Sequence, residues 1–396
     1  MATHRLGCFF LLQIPVAVLL VLDGIAAAAG SEYRGKPQKK LGGGGPGGTA
    51  ATALFFFGDS YFDAGNNNYI NTTTLDQANF WPYGESYFSF PTGRFSNGRL
   101  ISDFIAEYAK LPLIPPFLQP GNQEYRNGVN FASAGAGALD ETFRGAVIGL
   151  RTQLRYYTKV KAWLRHELGD VESNTILSRA VYLFSVGTND YTSPFLTNST
   201  MLANSGSPSK YARMVIGNLT SVVKQAIYDR GGRKFGFLNL GSLGCLPGLR
   251  ILQSQTKGGG CFEEASKLAN LHNRALYNFL SKMEDQLQGF RYSICDFNGA
   301  LRHRMDHPSR FGFEEGRAAC CGAGRYKGIY SCGGKRAMVK DFELCENPKK
   351  YVFWDSYHLT ERVYRQMASE MWNGSRRRGR PYSLKLKDLL QAQGIL

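Results

Sequence analysis

The sequence predicts an α/β fold in which helices cover both faces of a parallel β-sheet. Short apolar runs alternate with longer amphipathic stretches along the chain, which is the pattern that strands and helices of such a sheet produce. No segment repeats itself, and no Pro/Ser-rich linker divides the chain after residue 53. A chain of 396 residues that is 43% hydrophobic and 20% charged can bury a large core, and this composition excludes disordered, collagen-like and multispanning membrane proteins. One α/β domain is therefore the economical prediction.

The apolar runs predict the strands, and the amphipathic stretches between them predict the helices. The predicted strands are 54–57, 128–131, 180–186, 234–239 and 292–295, and the predicted helices are 99–110, 150–168, 209–230 and 262–288. Two long connections remain, 61–97 and 306–352. We expect both to be surface excursions, the second held down by its cysteines.

Residues 1–29 are expected to be a cleavable secretory signal. A short basic start precedes an apolar run from Leu6 to Leu22 and an alanine cluster at Ala26–Ala29, which is the order found in such signals. The alternative is a membrane anchor, but the run is interrupted by Gln13 and Pro15 and is of marginal length for crossing a bilayer. We therefore expect a secreted, extracellular protein without a transmembrane anchor in the mature chain.

The remaining chain divides by composition. Residues 30–52 are glycine-rich and lack apolar periodicity, so they predict a flexible lead-in. The folded domain is expected over residues 53–375, followed by a basic C-terminal tail over 376–396.

Export changes how the cysteines are interpreted, because thiols in an oxidising compartment tend to pair. Removal of Cys8 with the signal leaves seven of the eight cysteines, which predicts three disulfides and one free thiol. Cys245 is expected to pair with Cys261. Cys320, Cys321, Cys332 and Cys345 are expected to pair among themselves, in a connectivity that the sequence leaves open. Four N-glycosylation sequons are also compatible with export, at Asn71, Asn198, Asn218 and Asn373.

The chain carries an excess of basic residues. Lys and Arg outnumber Asp and Glu by sixteen, 47 against 31, which would favour an anionic partner such as a cell-wall or lipid surface. The alternative is a solvated basic face without a partner. Nucleic acid is not an expected partner of an exported protein.

Three polar motifs each follow directly on a predicted strand. Ser60 follows the first strand, Ser133–Gly135 the second and Gly187–Asp190 the third. Since the carboxyl ends of parallel strands share one edge of a sheet, these motifs are expected to converge. Far downstream, Asp355 lies three residues before His358, a spacing that lets a carboxylate orient an imidazole towards a serine hydroxyl. Ser60, His358 and Asp355 thus have the parts of a catalytic triad.

These motifs closely resemble those of the plant GDSL esterase/lipase family of the SGNH hydrolase superfamily, and the resemblance extends from about Ala53 to Lys385. The motifs that carry it are FGDSYFDAGNNN at 57–68, GRFSNGR at 93–99, NFASAGA at 130–136, GTND at 187–190 and DSYH at 355–358. Two departures are Leu359, where many members have proline, and Ala134, where many have glycine. The resemblance implies a three-layer α/β/α sandwich with a five-stranded parallel sheet, similar to flavodoxin, and makes residues 53–375 the hydrolase domain. For an exported plant protein it also implies the apoplast or cell wall as the location.

The resemblance also implies a role for each residue. Ser60 would be the nucleophile, His358 the general base and acid, and Asp355 the residue that orients His358. The oxyanion hole would consist of the N–H groups of Ser60 and Gly135 and the side-chain amide of Asn189.

The expected function is hydrolysis of a carboxylic ester through an acyl-enzyme, without a cofactor or a metal. The substrate could be a lipid, a cutin-type polyester or an acylated polysaccharide, and the sequence does not choose among them. One alternative is acyl transfer by the same residues. The alternative from another class is a catalytically inactive binding or defence-associated wall protein that retains the fold.

Overall fold

A five-stranded parallel sheet forms the centre of the fold. The computed structural model describes residues 53–122, 124–197, 199–253, 260–336, 339–374 and 384–392. The strands of the central sheet are β1 (Leu54–Gly58), β2 (Gly128–Asn130), β3 (Val181–Ser185), β4 (Lys234–Leu238) and β5 (Arg291–Cys295). Their order across the sheet is β2-β1-β3-β4-β5, and every neighbouring pair is parallel. The predicted five-stranded parallel sheet is therefore confirmed.

Helices connect the strands and pack on the sheet. They are α1 (Ile101–Tyr108), α2 (Leu150–Arg179), α3 (Thr188–Leu196), α4 (Met201–Asn204), α5 (Pro208–Ser221), α6 (Pro247–Arg250), α7 (Glu263–Gln286), α8 (Phe297–Asp306), α9 (Glu361–Asn373) and α10 (Leu386–Gln391). One group consists of α1, α9 and α10: α1 packs against α9, and α9 and α10 contact β5. The other group consists of α2, α5 and α7: α2 contacts β1, and α5 packs against α7.

The two groups of helices lie on opposite faces of the sheet. Phe55 and Phe57 both contact the ring of Tyr157 in α2, at centroid distances of 5.6 and 6.0 Å. A Cβ on Gly236 would point instead at Met371 of α9, 3.3 Å from its Cε. Because successive residues of a strand face opposite sides of a sheet, the arrangement is a sandwich of three layers.

Aromatic side chains fill the α2 face of the sheet in two rows. One row runs across the strands through Phe131, Phe57, Phe184 and Phe237, with neighbouring centroids 5.0 to 5.4 Å apart. The other contains Phe55, Tyr182, Phe235 and Phe290, at 4.7 to 5.8 Å. Such ring pairs contribute roughly 0.5–1.5 kcal/mol each beyond their buried area. The rows therefore help to hold the strands whose ends carry the site.

The connection between α8 and α9 folds over the edge of the site. It contains the parallel pair β6 (Glu315–Ala319) and β9 (Tyr351–Phe353), and the antiparallel pair β7 (Cys321–Gly322) and β8 (Glu343–Leu344). The described residues contain three disulfides: Cys245–Cys261, Cys320–Cys345 and Cys321–Cys332. The predicted Cys245–Cys261 pair is among them, and the other two resolve the connectivity that the sequence left open.

The C-terminal segment differs in part from the predicted tail. Helix α10 lies within residues 376–396, and its Leu386 and Leu389 are fully buried. Two leucines three residues apart lie on one face of a helix, so this short element packs on the domain and extends it beyond residue 375. The predicted signal at 1–29 and the predicted lead-in at 30–52 lie outside the described residues. Among the described residues, no helix combines the length and the apolar character that crossing a bilayer requires.

Candidate active site

Ser60 lies just beyond the carboxyl end of β1, on a turn that depends on Gly58. Gly58 has a φ of 136°, and a Cβ at this position would lie 1.8 Å from the carbonyl oxygen of Ser185 in β3. Only glycine tolerates both the conformation and the contact. Gln153 holds the same turn by accepting from the Gly58 N–H at 2.8 Å and donating to its carbonyl at 2.9 Å. The turn brings Ser60 to the sheet edge with 8% of its surface exposed.

The structure brings Ser60, His358 and Asp355 into one hydrogen-bonded row. His358 Nε2 lies 2.8 Å from Ser60 Oγ, and His358 Nδ1 lies 2.8 Å from Asp355 Oδ1. His358 and Asp355 belong to the loop between β9 and α9, and His358 is 298 positions from Ser60 along the chain. With Nδ1 facing a carboxylate, Nε2 is available to accept the serine proton.

Asp355 is fully buried and accepts several hydrogen bonds. Besides the His358 ring, the backbone N–H groups of His358 and Tyr357 donate to its Oδ1, at 2.8 and 2.9 Å. The Tyr83 hydroxyl donates to its Oδ2 at 2.6 Å. Burial by itself would raise the pKa of Asp355, but the His358 ring and these donors outweigh it and lower the pKa to about 2. Asp355 is therefore a carboxylate at neutral pH.

Potential oxyanion donors occur at the ends of β1, β2 and β3. The backbone N–H groups of Ser60 and Gly135 donate to no acceptor within the described part of the chain. Gly135 has a φ of 81°, and a Cβ there would lie 2.5 Å from an oxygen of Asp76. The amide of Asn189 donates to the Ala136 carbonyl at 2.9 Å. Since an amide nitrogen carries two hydrogens, this bond orients Asn189 and leaves one hydrogen for another acceptor.

Two buried aspartates shape the loops that present these donors. Asp63 accepts from the N–H groups of Gly65, Asn66 and Ala134 at 2.7 to 2.9 Å. Asp190 accepts from the N–H groups of Ala138 and Leu139 and from the hydroxyl of Thr142, at 2.7 to 3.0 Å. These carboxylates fix the backbone on either side of Gly135.

Sequence reasoning missed Tyr83 and Arg336. The hydroxyl of Tyr83 contacts Asp355, and Arg336 Nη2 donates to that same hydroxyl at 3.2 Å. Tyr83 and Arg336 are 253 positions apart, and neither lies in a motif with Ser60 or His358. No local signal in the sequence identifies them.

The predicted glycosylation sites fall in different places. Asn71 and Asn373 are exposed, Asn218 is half-buried in α5, and Asn198 lies outside the described residues. His303 and His307 contact each other, with ring centroids 5.3 Å apart. Within the described ranges, His, Cys, Asp and Glu nowhere form a group of three that could hold a metal ion. A cavity of about 1010 Å³ lies along α7 and β5, but its lining contains none of the residues proposed for chemistry.

Comparisons with known proteins identify the family of the chain. A family model described as "GDSL-like Lipase/Acylhydrolase" matches residues 54–371. GDSL esterase/lipase 5 of Arabidopsis thaliana is 60% identical over 80% of this chain and 80% of its own length. GDSL esterase/lipase 1 of the same plant is 52% identical over 82% of this chain and 87% of its own. A solved structure of a candidate GDSL-like lipase from Parabacteroides merdae covers 81% of this chain and 93% of its own, with 13% identity and a TM-score of 0.35, and carries no weight here. The family match and the plant relatives show that the chain belongs to the GDSL-like lipase/acylhydrolase family of ester-hydrolysing enzymes.

Proposed function

We propose that this protein is a secreted serine hydrolase that cleaves carboxylic esters through an acyl-enzyme on Ser60. The observation that carries the proposal is the row of hydrogen bonds from Ser60 Oγ through His358 to Asp355, each 2.8 Å long. A serine hydroxyl is a weak nucleophile until a neighbouring base removes its proton. His358 Nε2 is within direct reach of that proton.

In the first half of the reaction, Ser60 Oγ attacks the acyl carbonyl carbon and its proton moves to His358 Nε2. The tetrahedral intermediate then collapses, the bond to the leaving alcohol breaks, and the alcohol oxygen takes the proton from His358. In the second half, water attacks the acyl-enzyme and gives a proton to His358. Release of the acid returns this proton to Ser60.

Asp355 supports both halves by its charge and its position. It keeps the Nδ1 proton of His358 directed at itself, so that Nε2 faces Ser60. Its low pKa, about 2, means that it remains an anion while His358 is transiently protonated. A buried carboxylate beside the cationic ring stabilises that state.

Negative charge develops on the carbonyl oxygen of the intermediate. The proposed donors are the N–H groups of Ser60 and Gly135 and the second amide hydrogen of Asn189. Donors of this kind contribute about 2.7–4 kcal/mol each to transition-state stabilisation in comparable enzymes. The bond from Asn189 to Ala136 supports this assignment, because it orients the amide before substrate binds.

Export and surface partners are also part of the proposal. Three disulfides support an oxidising compartment, and Asn71 and Asn373 are accessible for glycosylation. The net charge of +16 supports attraction to an anionic wall or lipid surface. The substrate is proposed only as a class, a carboxylic ester of a lipid, a polyester or an acylated polysaccharide.

The test compares the oxidised, glycosylated protein with Ser60→Ala on p-nitrophenyl esters of short to long acyl chains. We expect Ser60→Ala to lose at least about 10³-fold in kcat, because no other nucleophile stands beside His358 within the described ranges. Mass spectrometry of the wild type quenched during turnover should detect one acyl group on the peptide that contains Ser60. Equal rates from both proteins would rule out Ser60 as the nucleophile.

Asn189→Ala tests the oxyanion assignment separately. We expect kcat to fall roughly 10²- to 10³-fold with a smaller change in KM, because the amide is needed mainly in the transition state. Asn174→Ala is the matched control for loss of an asparagine, because Asn174 is exposed in α2 and lies in no glycosylation sequon. An unchanged kcat for Asn189→Ala would reduce that residue to a loop-shaping role.

A further inference from the structure

The guanidinium of Arg336 is buried and is linked to Asp355 through the hydroxyl of Tyr83. Arg336 is 1% exposed and lies in the connection closed by the disulfides Cys320–Cys345 and Cys321–Cys332. Its Nη1 donates to the Cys332 carbonyl at 2.8 Å, and its guanidinium carbon lies 4.6 Å from the ring centroid of Phe80. No carboxylate forms an ion pair with it within the described ranges. Burying a charged group without a direct counter-ion costs free energy, so the other contacts of this guanidinium must stabilise it.

The hydrogen bonds of Arg336 fix the direction of two tyrosine hydroxyls. Its Nη2 shares two hydrogens among three acceptors, which are Tyr330 Oη at 2.9 Å, the Gln77 carbonyl at 3.1 Å and Tyr83 Oη at 3.2 Å. An arginine has no acceptor, and a tyrosine hydroxyl has a single hydrogen. Each hydroxyl must therefore direct its hydrogen elsewhere: Tyr330 donates to the Leu75 carbonyl at 3.2 Å and Tyr83 donates to Asp355 Oδ2 at 2.6 Å.

We propose that Arg336 is a positioning residue of the active site, which acts through Tyr83 to hold Asp355 as an oriented anion and to limit the basicity of the Asp355–His358 pair. The proposal rests on the function assigned above to Ser60, His358 and Asp355. Arg336 supplies the positive charge that the buried site otherwise lacks, and Tyr83 transmits it as a charge-assisted hydrogen bond. The row of hydrogen bonds thus extends from Ser60 to a guanidinium in the disulfide-closed connection.

The sign of the effect follows from the charges that face the pair. The titratable groups around Ser60, Asp355 and His358 are Asp59 and five tyrosines, Tyr61, Tyr83, Tyr330, Tyr357 and Tyr364. Burial raises the pKa of each tyrosine and raises the pKa of Asp59 to about 7. The tyrosines are neutral and Asp59 is either neutral or an anion, so Arg336 is the cation of this environment within the described ranges. Asp76 also interacts electrostatically with Arg336, and burial raises the pKa of Asp76 to about 6.

Removal of Arg336 makes a protonated His358 more favourable, because a repelling charge is lost and Asp355 keeps more negative charge. The pH at which kcat/KM is half-maximal must therefore move upward.

The experiment measures kcat/KM for p-nitrophenyl butyrate from pH 5 to 9, normalised to the fraction of Ser60 that a fluorophosphonate labels. We expect Arg336→Met to raise the acid midpoint by roughly 0.5 to 1 pH unit. Tyr83→Phe should also raise the acid midpoint, but by less, because the charge of Arg336 remains. Arg336→Lys, which keeps the charge, should return the midpoint most of the way to that of the wild type.

Two control variants separate this role from a structural one. Tyr330→Phe removes the other hydroxyl that Arg336 binds, and Arg304→Met removes a different buried arginine, which is 2% exposed and bonded to Glu370. Both should leave the midpoint in place, whatever they do to stability. An unmoved midpoint in Arg336→Met and Tyr83→Phe would overturn the proposal while Ser60→Ala is still inactive. If Ser60→Ala keeps full activity, the proposed function itself fails.

Discussion

The surroundings of two buried aspartates near Ser60 shift their pKa values in opposite directions. Asp355 accepts from a ring nitrogen, a hydroxyl and two backbone N–H groups, and its pKa is lowered to about 2. Asp59, next to Ser60, is equally buried, but its Oδ2 has no partner among the described residues. Burial raises the pKa of Asp59 to about 7, although the Tyr61 N–H and the Ser185 hydroxyl partly oppose this. The same residue type is thus held charged in one place and close to neutral in the other.

Asp59→Asn should therefore change how stability depends on pH. Because the pKa of Asp59 is higher in the folded state, about 7, than its ordinary value of 3.8, the folded protein binds more protons between these limits. The wild type must lose free energy of unfolding as pH rises through this window. The neutral amide avoids that loss. As pH rises from 5 to 8, we therefore expect the free energy of unfolding of the variant to increase relative to that of the wild type by on the order of 1–4 kcal/mol. Urea unfolding at both pH values measures the difference.

Asp103→Asn is the matched control for this comparison. Asp103 is also buried, both its oxygens accept hydrogen bonds from the Arg94 guanidinium, and an amide would remove the partner charge and place a donor against a donor. We expect this variant to be less stable than the wild type at pH 5 as well as at pH 8. If Asp59→Asn differs from the wild type by the same amount at both pH values, Asp59 does not titrate in this range.

At the residue scale, the sequence identifies the groups that lie in motifs but not those that reach the site from elsewhere. Ser60 follows an apolar run, and Asp355 and His358 share a three-residue spacing, so the sequence alone makes all three of them candidates. Tyr83 meets Asp355 across 272 positions, and Arg336 meets Tyr83 across 253. Such contacts depend on how two long connections fold together, which periodicity does not encode.

At the scale of elements, the ends of the parallel strands determine where the chemistry can occur. The central strands were predictable to within a few residues, since each is a short apolar run followed by polar residues. The first helical segment of α2 stops at Gly169, whose φ of 77° and ψ of 170° are not helical, next to the predicted end at Leu168. A second segment, which was not predicted, continues to Arg179. Strands β6 to β9 were not predicted, because each has only two to five residues and pairs with distant partners. Short pairings of this kind carry little local signal.

Gly58→Ala should test how far the turn after β1 depends on glycine. The added Cβ would lie 1.8 Å from the Ser185 carbonyl, a backbone atom that already accepts from the Asp59 N–H at 2.9 Å. We expect a loss of at least about 3 kcal/mol in the free energy of unfolding, since the backbone itself must move. Fluorophosphonate labelling of Ser60 should fall as well, because the turn positions that residue.

Gly217→Ala provides the control for replacing a glycine. Gly217 lies in α5, where an added Cβ meets nothing within 4 Å, so we expect a gain of about 0.5–1 kcal/mol from helix propensity alone. Thermal unfolding of the two variants beside the wild type distinguishes the effects. If the free energy of unfolding of Gly58→Ala is within about 1 kcal/mol of that of the wild type, the turn accommodates a Cβ and does not depend on glycine.

At the scale of the whole molecule, the disulfides connect the stability of the site with the compartment in which the chain folds. Cys320–Cys345 and Cys321–Cys332 close the connection that carries Arg336. The Cys321 N–H also donates to the Trp354 carbonyl at 2.7 Å, next to Asp355. A site supported in this way requires oxidised cysteines, and cytosolic thiols are kept reduced. We therefore expect the proposed activity to depend on oxidised cysteines and so on the proposed export.

The whole-chain prediction is that active enzyme accumulates outside the cell with its first residues removed. In a eukaryotic secretion host, N-terminal sequencing of protein from the medium should begin close to Gly30, because the alanine cluster at 26–29 has the small residues that signal cleavage requires.

The control is the same chain expressed from Gly30 onward, which should remain in the cytosol, contain free thiols at the six paired cysteines and be less stable. Loss of a disulfide in a folded domain typically costs about 2–4 kcal/mol, so the cytosolic form should unfold at lower urea concentration and regain stability on oxidation. Recovery of an intact Met1 in the medium would contradict signal cleavage, and equal stability of the reduced and oxidised forms would contradict the dependence on disulfides.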